Sequence, residues 1–375
     1  MPKHTTLQIQ DKLVKLGKTL GFDAQMEVAL PVHKGTMAEK SYRPIYDVVW
    51  FYPSSTLTSE LLSNLSTLID QPLDRAHLPF ALFEIEGSTT SSKNQVGNFI
   101  NLYHTTAPLK CMITNNGEAG SENDTYRRGH KIVRSLAKQF GMRNLLFFDA
   151  EQLEATLDQG YSVTQFVTEG SGLSEKKGHG GEKAKTRAFL RSLLQPFVGK
   201  MIIGEDDRLP ESSLRLLGCD LYKESILGIE DQALKKKETV LGASLGLMAK
   251  KYPSSENLES TRSRPLYIPK LDGELGFYLR EGVIHWLQKL KLKLGYERGQ
   301  YPLLHGLPTD PETQLFLSLV GIEIEESDSK HALGGLANLK MNSQVGLVIA
   351  PSNVEPKLRF MMESLGTSNI YFKLK

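Results

Sequence analysis

Cysteine is scarce, with only two in 375 residues. Cys111 and Cys219 are far apart and offer no C-x-x-C spacing, which excludes a disulfide framework or a cysteine zinc site and leaves both as reduced core residues. Long apolar runs are missing as well. No segment approaches the ~20 apolar residues of a membrane span, and Met1 to Asp11 has no apolar core of signal-peptide length. A cytoplasmic protein with no membrane partner is expected. Excess charge of either sign is also lacking: 45 Lys and Arg against 43 Asp and Glu give a net charge of +2. A nucleic-acid ligand would therefore be met by local basic patches, not by the field of the whole molecule.

What is present is an alternation of short apolar runs and amphipathic helices. Leu7, Leu13, Leu16 and Leu20 recur at helical spacing and stop at Gly21, a glycine cap. Gln25 to Leu30 alternates as a strand. A strand at Tyr46 to Phe51 follows, then a helix from Leu57 to Ile69, a strand ending at Glu86, and a helix from about Lys93 to His104. Leu109 to Thr114 reads as a strand, about Asp124 to Phe140 as a helix and Asn144 to Phe148 as a strand. This order predicts an α/β fold, a mixed β-sheet flanked by helices. At this length two domains are expected, because single cores rarely grow much beyond ~250 residues.

The stretch with chemistry in it is Phe83-Glu84-Ile85-Glu86-Gly87-Ser88. In a strand, Phe83 and Ile85 take one face while Glu84 and Glu86 share the other. Two like charges so close make either a solvated strand face or a site for a hard metal ion. Upstream, Asp47 begins an apolar run, Val48-Val49-Trp50-Phe51, where aspartate is uncommon. Only one helix-patterned piece separates the two strands, so they can be neighbours in one sheet. Asp47, Glu84 and Glu86 would then supply the oxygen ligands that Mg²⁺ takes.

These residues resemble the motif of the PD-(D/E)xK nuclease superfamily, which holds restriction endonucleases and DNA-repair nucleases. Asp47 matches the motif's Asp and Glu84 its second acid; Glu86 stands where the motif has Lys, and Tyr46 where it has Pro. The resemblance covers about the first 150 residues through their order of elements. It implies a restriction endonuclease-like fold and a Mg²⁺-dependent DNA endonuclease of restriction or phage-defence type, with Mn²⁺ able to substitute. It further implies Asp47, Glu84 and Glu86 as metal ligands, with Glu86 also able to orient a water. Lys93 or Gln95, on the next helix, would position the nucleophile. Cleavage of both strands commonly uses two such sites, which a homodimer or two copies within one chain would supply. The alternatives are a nuclease acting on RNA or branched DNA, and a non-catalytic nucleic-acid-binding or scaffold protein.

Basic side chains cluster at Arg127, Arg128 and Lys131, and again at Lys185, Arg187 and Arg191 on an amphipathic helix. Both sets are candidates for phosphate contact, against the plainer reading of charged exposed faces. Between them, the Gly- and Lys-rich stretch within 161–185 reads as a linker or mobile loop. It divides a nuclease-like domain, 1–160, from a second αβ domain, 186–375.

That second domain carries an echo of the first. Glu323-Ile324-Glu325-Glu326-Ser327 repeats Glu84 to Ser88. After a two-residue deletion, Ser92-Lys93, Gly97 and Asn101-Leu102 correspond to Ser329-Lys330, Gly334 and Asn338-Leu339. A strand at Gln344 to Ala350, a helix at Glu355 to Leu365, and Gly366 to Phe372 against Gly141 to Phe147 continue the parallel. Together they suggest a duplicated αβ unit. Asp272 is the candidate for the second motif Asp, but it lies farther from its acid pair than Asp47 does, so a degenerate copy is expected.

Overall fold

In the computed structural model the described residues are 5–31, 43–87, 91–115, 125–139, 142, 144–157, 159–169, 182–205, 214–215, 271–294, 315–326, 330–365 and 369–375. Cys219 and most of the Gly- and Lys-rich stretch lie outside them, as do the side chains of Arg127, Arg128, Lys185 and Arg187.

The chain opens with α1 (Thr6–Thr19), whose start is fixed by a reciprocal pair of Thr5 and Gln8 side chain to backbone bonds, an arrangement that satisfies two otherwise orphaned donors. Of its leucines, Leu13 and Leu16 are buried and Leu7, in the first turn, is exposed. Then come β1 (Asp23–Ala29), β2 (Ile45–Phe51), α2 (Ser59–Ile69), β3 (Pro79–Glu86), α3 (Ser92–Tyr103), β4 (Leu109–Thr114), α4 (Thr125–Gln139), β5 (Leu145–Asp149) and α5 (Ala150–Glu154). The five strands form one sheet in the order β1-β2-β3-β4-β5. The first two pairings are antiparallel and the last two parallel. Both parallel steps, β3 to β4 and β4 to β5, carry a helix between the strands, because a parallel pair needs a long crossover connection.

The rest of the chain gives β6 (Gln165–Val167), α6 (Glu182–Leu194), β7 (Ile202–Glu205), β8 (Leu214–Arg215), β9 (Gly273–Arg280), α7 (Gly282–Lys293), β10 (Leu315–Ile324), α8 (Lys330–Asn342), β11 (Val345–Ala350), α9 (Glu355–Leu365) and β12 (Ile370–Leu374). Their seven strands form a second sheet, β12-β11-β10-β9-β6, with β7 on β9 and β8 on β10. Along β7-β9-β10-β11-β12 the senses again run antiparallel, antiparallel, parallel, parallel. β6 lies inside the span that composition assigned to a linker.

The likeness extends to single hydrogen bonds. Asn144, buried ahead of β5, donates its amide to the Ala107 and Pro108 carbonyls at 2.9 and 3.1 Å, while its own carbonyl accepts from Lys110 N–H. Asn369, buried ahead of β12, donates to the Gln344 carbonyl at 2.9 Å and accepts from Gly346 N–H. These are the asparagines aligned in the sequence repeat.

The chain divides into two compact units, but not at a single boundary. One comprises residues 1–57, 74–165 and 280–313, the other 58–73, 166–279 and 314–375. α2 thus belongs to the second unit, where Lys373 of β12 bonds to the Asp70 carboxylate at 2.7 Å and to the Thr67 carbonyl at 3.0 Å. α7 belongs to the first, where Trp286 packs 5.4 Å from Trp50 and donates to Thr156 Oγ1 at 3.1 Å. The division at 161–185 follows composition, whereas these two helices follow the sheets that bury their apolar faces. Among the described residues no helix is long and apolar enough to cross a membrane.

Candidate metal centre

In the first unit β2 and β3 pair with Val48 opposite Phe83, which sets Asp47 opposite Glu84. The Asp47 carboxylate is anchored at both oxygens: Oδ2 accepts from the Ile85 N–H at 2.6 Å, and Oδ1 from the amide of Gln10, on α1, at 3.0 Å. Asp47 and Glu84 are close enough to share a hydrogen bond. Burial pushes the Glu84 carboxyl up to about 9, with repulsion from Asp47 and Glu86 adding to it. Burial also raises Asp47, against the opposing effect of the Ile85 and Gln10 donors. Glu84 is the protonated member of the pair, because Asp47 has the better donors and is less deeply buried.

Glu86, 1% exposed, lies beside Thr114 on β4 and accepts from the Asn98 amide of α3 at 3.0 Å. Lys93 is exposed on the first turn of α3 and has no hydrogen-bond or ion-pair partner among the described residues. Gln95 is the opposite case. It is fully buried, with neither its amide nitrogen nor its oxygen bonded within the described residues, and it lies against Gly129 of α4. The Thr114 hydroxyl is buried and unbonded among the described residues. Gln10, Asn98 and Thr114 were missed from the sequence. The available signal was that Asn98 lies three residues after Gln95, and so on the same side of α3.

Among the described residues, no group of three or more His, Cys, Asp or Glu side chains converges closely enough to hold a metal ion. The expected three-acid cluster is instead a coupled pair, Asp47 and Glu84, with Glu86 tied to α3. The pair nevertheless fits Mg²⁺. Its donors are carboxylate oxygens, Glu84 Oε1 is buried without a hydrogen-bond partner among the described residues, and Mg²⁺ is commonly held by one or two carboxylates with phosphate and water completing its shell.

The second unit repeats the anchor. β9 and β10 pair with Gly273 opposite Ile322, which sets Asp272 opposite Glu323, and Asp272 Oδ2 accepts from the Ile324 N–H at 2.9 Å. The longer sequence separation does not keep this aspartate away from its acids. Here Glu325 is raised to about 7, by burial first and then by Asp272. The lining differs: positions aligned with Gln95, Asn98 and Thr114 hold Ala332, Gly335 and Ala350. Gly335 lies directly against Glu325, and a Cβ there would overlap Glu325 Oε1.

Of the basic candidates, Lys131 is exposed on α4 in the first unit and Arg191 is half-buried on α6 in the second. Comparison of the chain with models of known protein families, with curated protein sequences and with solved structures finds no match.

Proposed function

We propose that this chain is a Mg²⁺-dependent nuclease that hydrolyses phosphodiester bonds in DNA, of restriction or phage-defence type, and that its two units are copies of one restriction endonuclease-like fold. The observation that carries the reading is the pair of half-buried Asp47 and buried Glu84, set face to face on adjacent strands and held by the Ile85 N–H. The same anchor between Asp272 and Ile324 supports the duplication, as do the shared order of pairing senses and the two asparagine pins.

Asp47 and Glu84 would hold the metal, which supplies a Lewis acid for the scissile phosphate and offsets charge on the leaving oxygen. The chain does the rest. Gln10 and the Ile85 N–H fix the Asp47 rotamer, so that the site is held before substrate arrives. Glu84 would hold the cation as the carboxylate, its proton released to solvent, because a metal ligand must be deprotonated. Glu86 orients the attacking water. Lys93, exposed at the start of α3, contacts substrate phosphate, and Lys131 extends the same role on α4. The first unit is the cleaving one, since its acids keep polar neighbours where the second unit has alanine and glycine.

The test is incubation of the purified protein with plasmid DNA, with and without Mg²⁺ or Mn²⁺. Cleavage should require the metal and vanish in folded Asp47→Ala and Glu84→Ala variants. A folded Glu84→Ala protein that cuts at the wild-type rate removes the acid pair from the mechanism.

A further inference from the structure

The helix-borne contact to Glu86 is the feature that most separates the two acid clusters. Asn98 is on the second turn of α3, half-buried, and its amide bonds Glu86 Oε1 at 3.0 Å. An amide donor is neutral and cannot itself replace a metal ligand, but it can fix which way a carboxylate turns. The second unit is a natural comparison lacking that donor. With Gly335 at the aligned position, Glu325 lies on the bare backbone of α8 and sits close enough to Asp272 for the two charges to repel. In the first unit Glu86 is near enough to repel Glu84, but its carboxylate is bonded to Asn98 and the aspartate has Glu84 as its partner.

We propose that Asn98 is a positioning residue that holds Glu86 off the Asp47–Glu84 pair, reserving it to orient the attacking water instead of becoming a third metal ligand. This inference rests on the metal-binding half of the reading above. It predicts an unusual pair of effects. Loss of the amide should make metal binding tighter, because a third carboxylate joins the site, and should make cleavage slower, because that carboxylate no longer attends the water.

The experiment measures Mn²⁺ affinity by calorimetry in the full chain, in a Glu323→Gln/Glu325→Gln background so that the second cluster adds no heat. Asn98→Ala, and Asn98→Leu as a near-isosteric second variant, should bind Mn²⁺ at least threefold more tightly than the background protein. Adding Glu86→Gln to either should return the affinity to the background value, which a merely structural role for Asn98 would not predict. On plasmid DNA the same variants should lose at least tenfold in kcat with KM within twofold, the size expected when a group beside the reacting centre is misplaced. Unchanged or weaker Mn²⁺ binding in both Asn98 variants overturns the proposal. If the background protein binds Mn²⁺ but cleaves no nucleic acid, the nuclease reading fails while the affinity comparison still decides the role of Asn98. If it binds no Mn²⁺, both fail.

Discussion

A single proton dominates the residue scale. Glu84 holds it up to about 9 in the folded protein against an ordinary value of 4.5. An acid whose folded pKa is raised binds its proton more tightly when folded. The stability this brings is complete below pH 4.5, where both states are protonated, and is lost as pH climbs towards about 9. Metal-free wild type should therefore melt at progressively lower temperature across that window, with a slope of at most about 1.4 kcal/mol per pH unit. Glu325 adds a similar loss that ends near 7, so the diagnostic is the difference from Glu84→Gln, which keeps the neutral form at every pH. That variant should be the more stable protein at pH 8 without metal, and Mn²⁺ should narrow the gap by stabilising wild type more than the variant. Identical pH profiles for the two would mean that Glu84 is not held protonated. Lys93 separates differently. Exposed and without a partner among the described residues, it should act on binding: Lys93→Ala should lower the salt slope of DNA affinity by about one and leave kcat at saturation unchanged. A fall in kcat with unchanged affinity would return it to the role of positioning the nucleophile. Sequence reasoning chose Lys93 for its charge, yet charge says nothing about direction. Asn98 carries no charge and no motif, and its contact with Glu86 depends on how α3 crosses the sheet.

Elements were far more legible than contacts. The predicted strand at Leu109 to Thr114 and the predicted helix at Glu355 to Leu365 coincide with β4 and α9, because period-two and period-3.6 patterns report directly which positions are buried. The same patterns cannot say which surface does the burying. The leucines of α2 announce an apolar face, and Leu61, Leu65 and Leu68 are indeed buried, but nothing in them assigns the helix to the second unit. Asp272 was misjudged for a related reason: distance along the chain was read as distance in space, although β9 and β10 pair directly and set Asp272 opposite Glu323. The two asparagine pins offer a test of equivalence at this scale. Asn144→Ala leaves the Ala107 and Pro108 carbonyls, and Asn369→Ala the Gln344 carbonyl, without the amide donor, an omission that costs about 1–3 kcal/mol. Both should lower stability by similar amounts in chemical denaturation. A large effect at one and none at the other would show that only one strand end depends on its pin, and would weaken the reading of the units as copies.

At the scale of the whole molecule, the issue is whether two acid clusters mean two cuts. In the first unit Gln10 bonds Asp47, Asn98 bonds Glu86 and Thr114 lies beside Glu86, while the second keeps Asp272, Glu323 and Glu325 with Gly335 and Ala350 at the positions aligned with Asn98 and Thr114. Acids alone can attract a cation; orienting a water takes donors and acceptors placed around them. On the nuclease reading proposed above, one cleaving unit per chain follows, and a single unit would break one strand per encounter. Supercoiled plasmid should then pass through the open circle before the linear form. The share cut to linear should rise with protein concentration, because the second strand needs a second chain. Glu323→Ala with Glu325→Ala should leave both the rate and this order of products as in wild type, whereas Glu84→Ala abolishes cleavage altogether. If wild type instead yields linear DNA directly at low concentration, and either set of substitutions turns it into a nicking enzyme, each unit cuts one strand. Asp272, Glu323 and Glu325 would then form a second working site despite the alanine and glycine at the aligned positions.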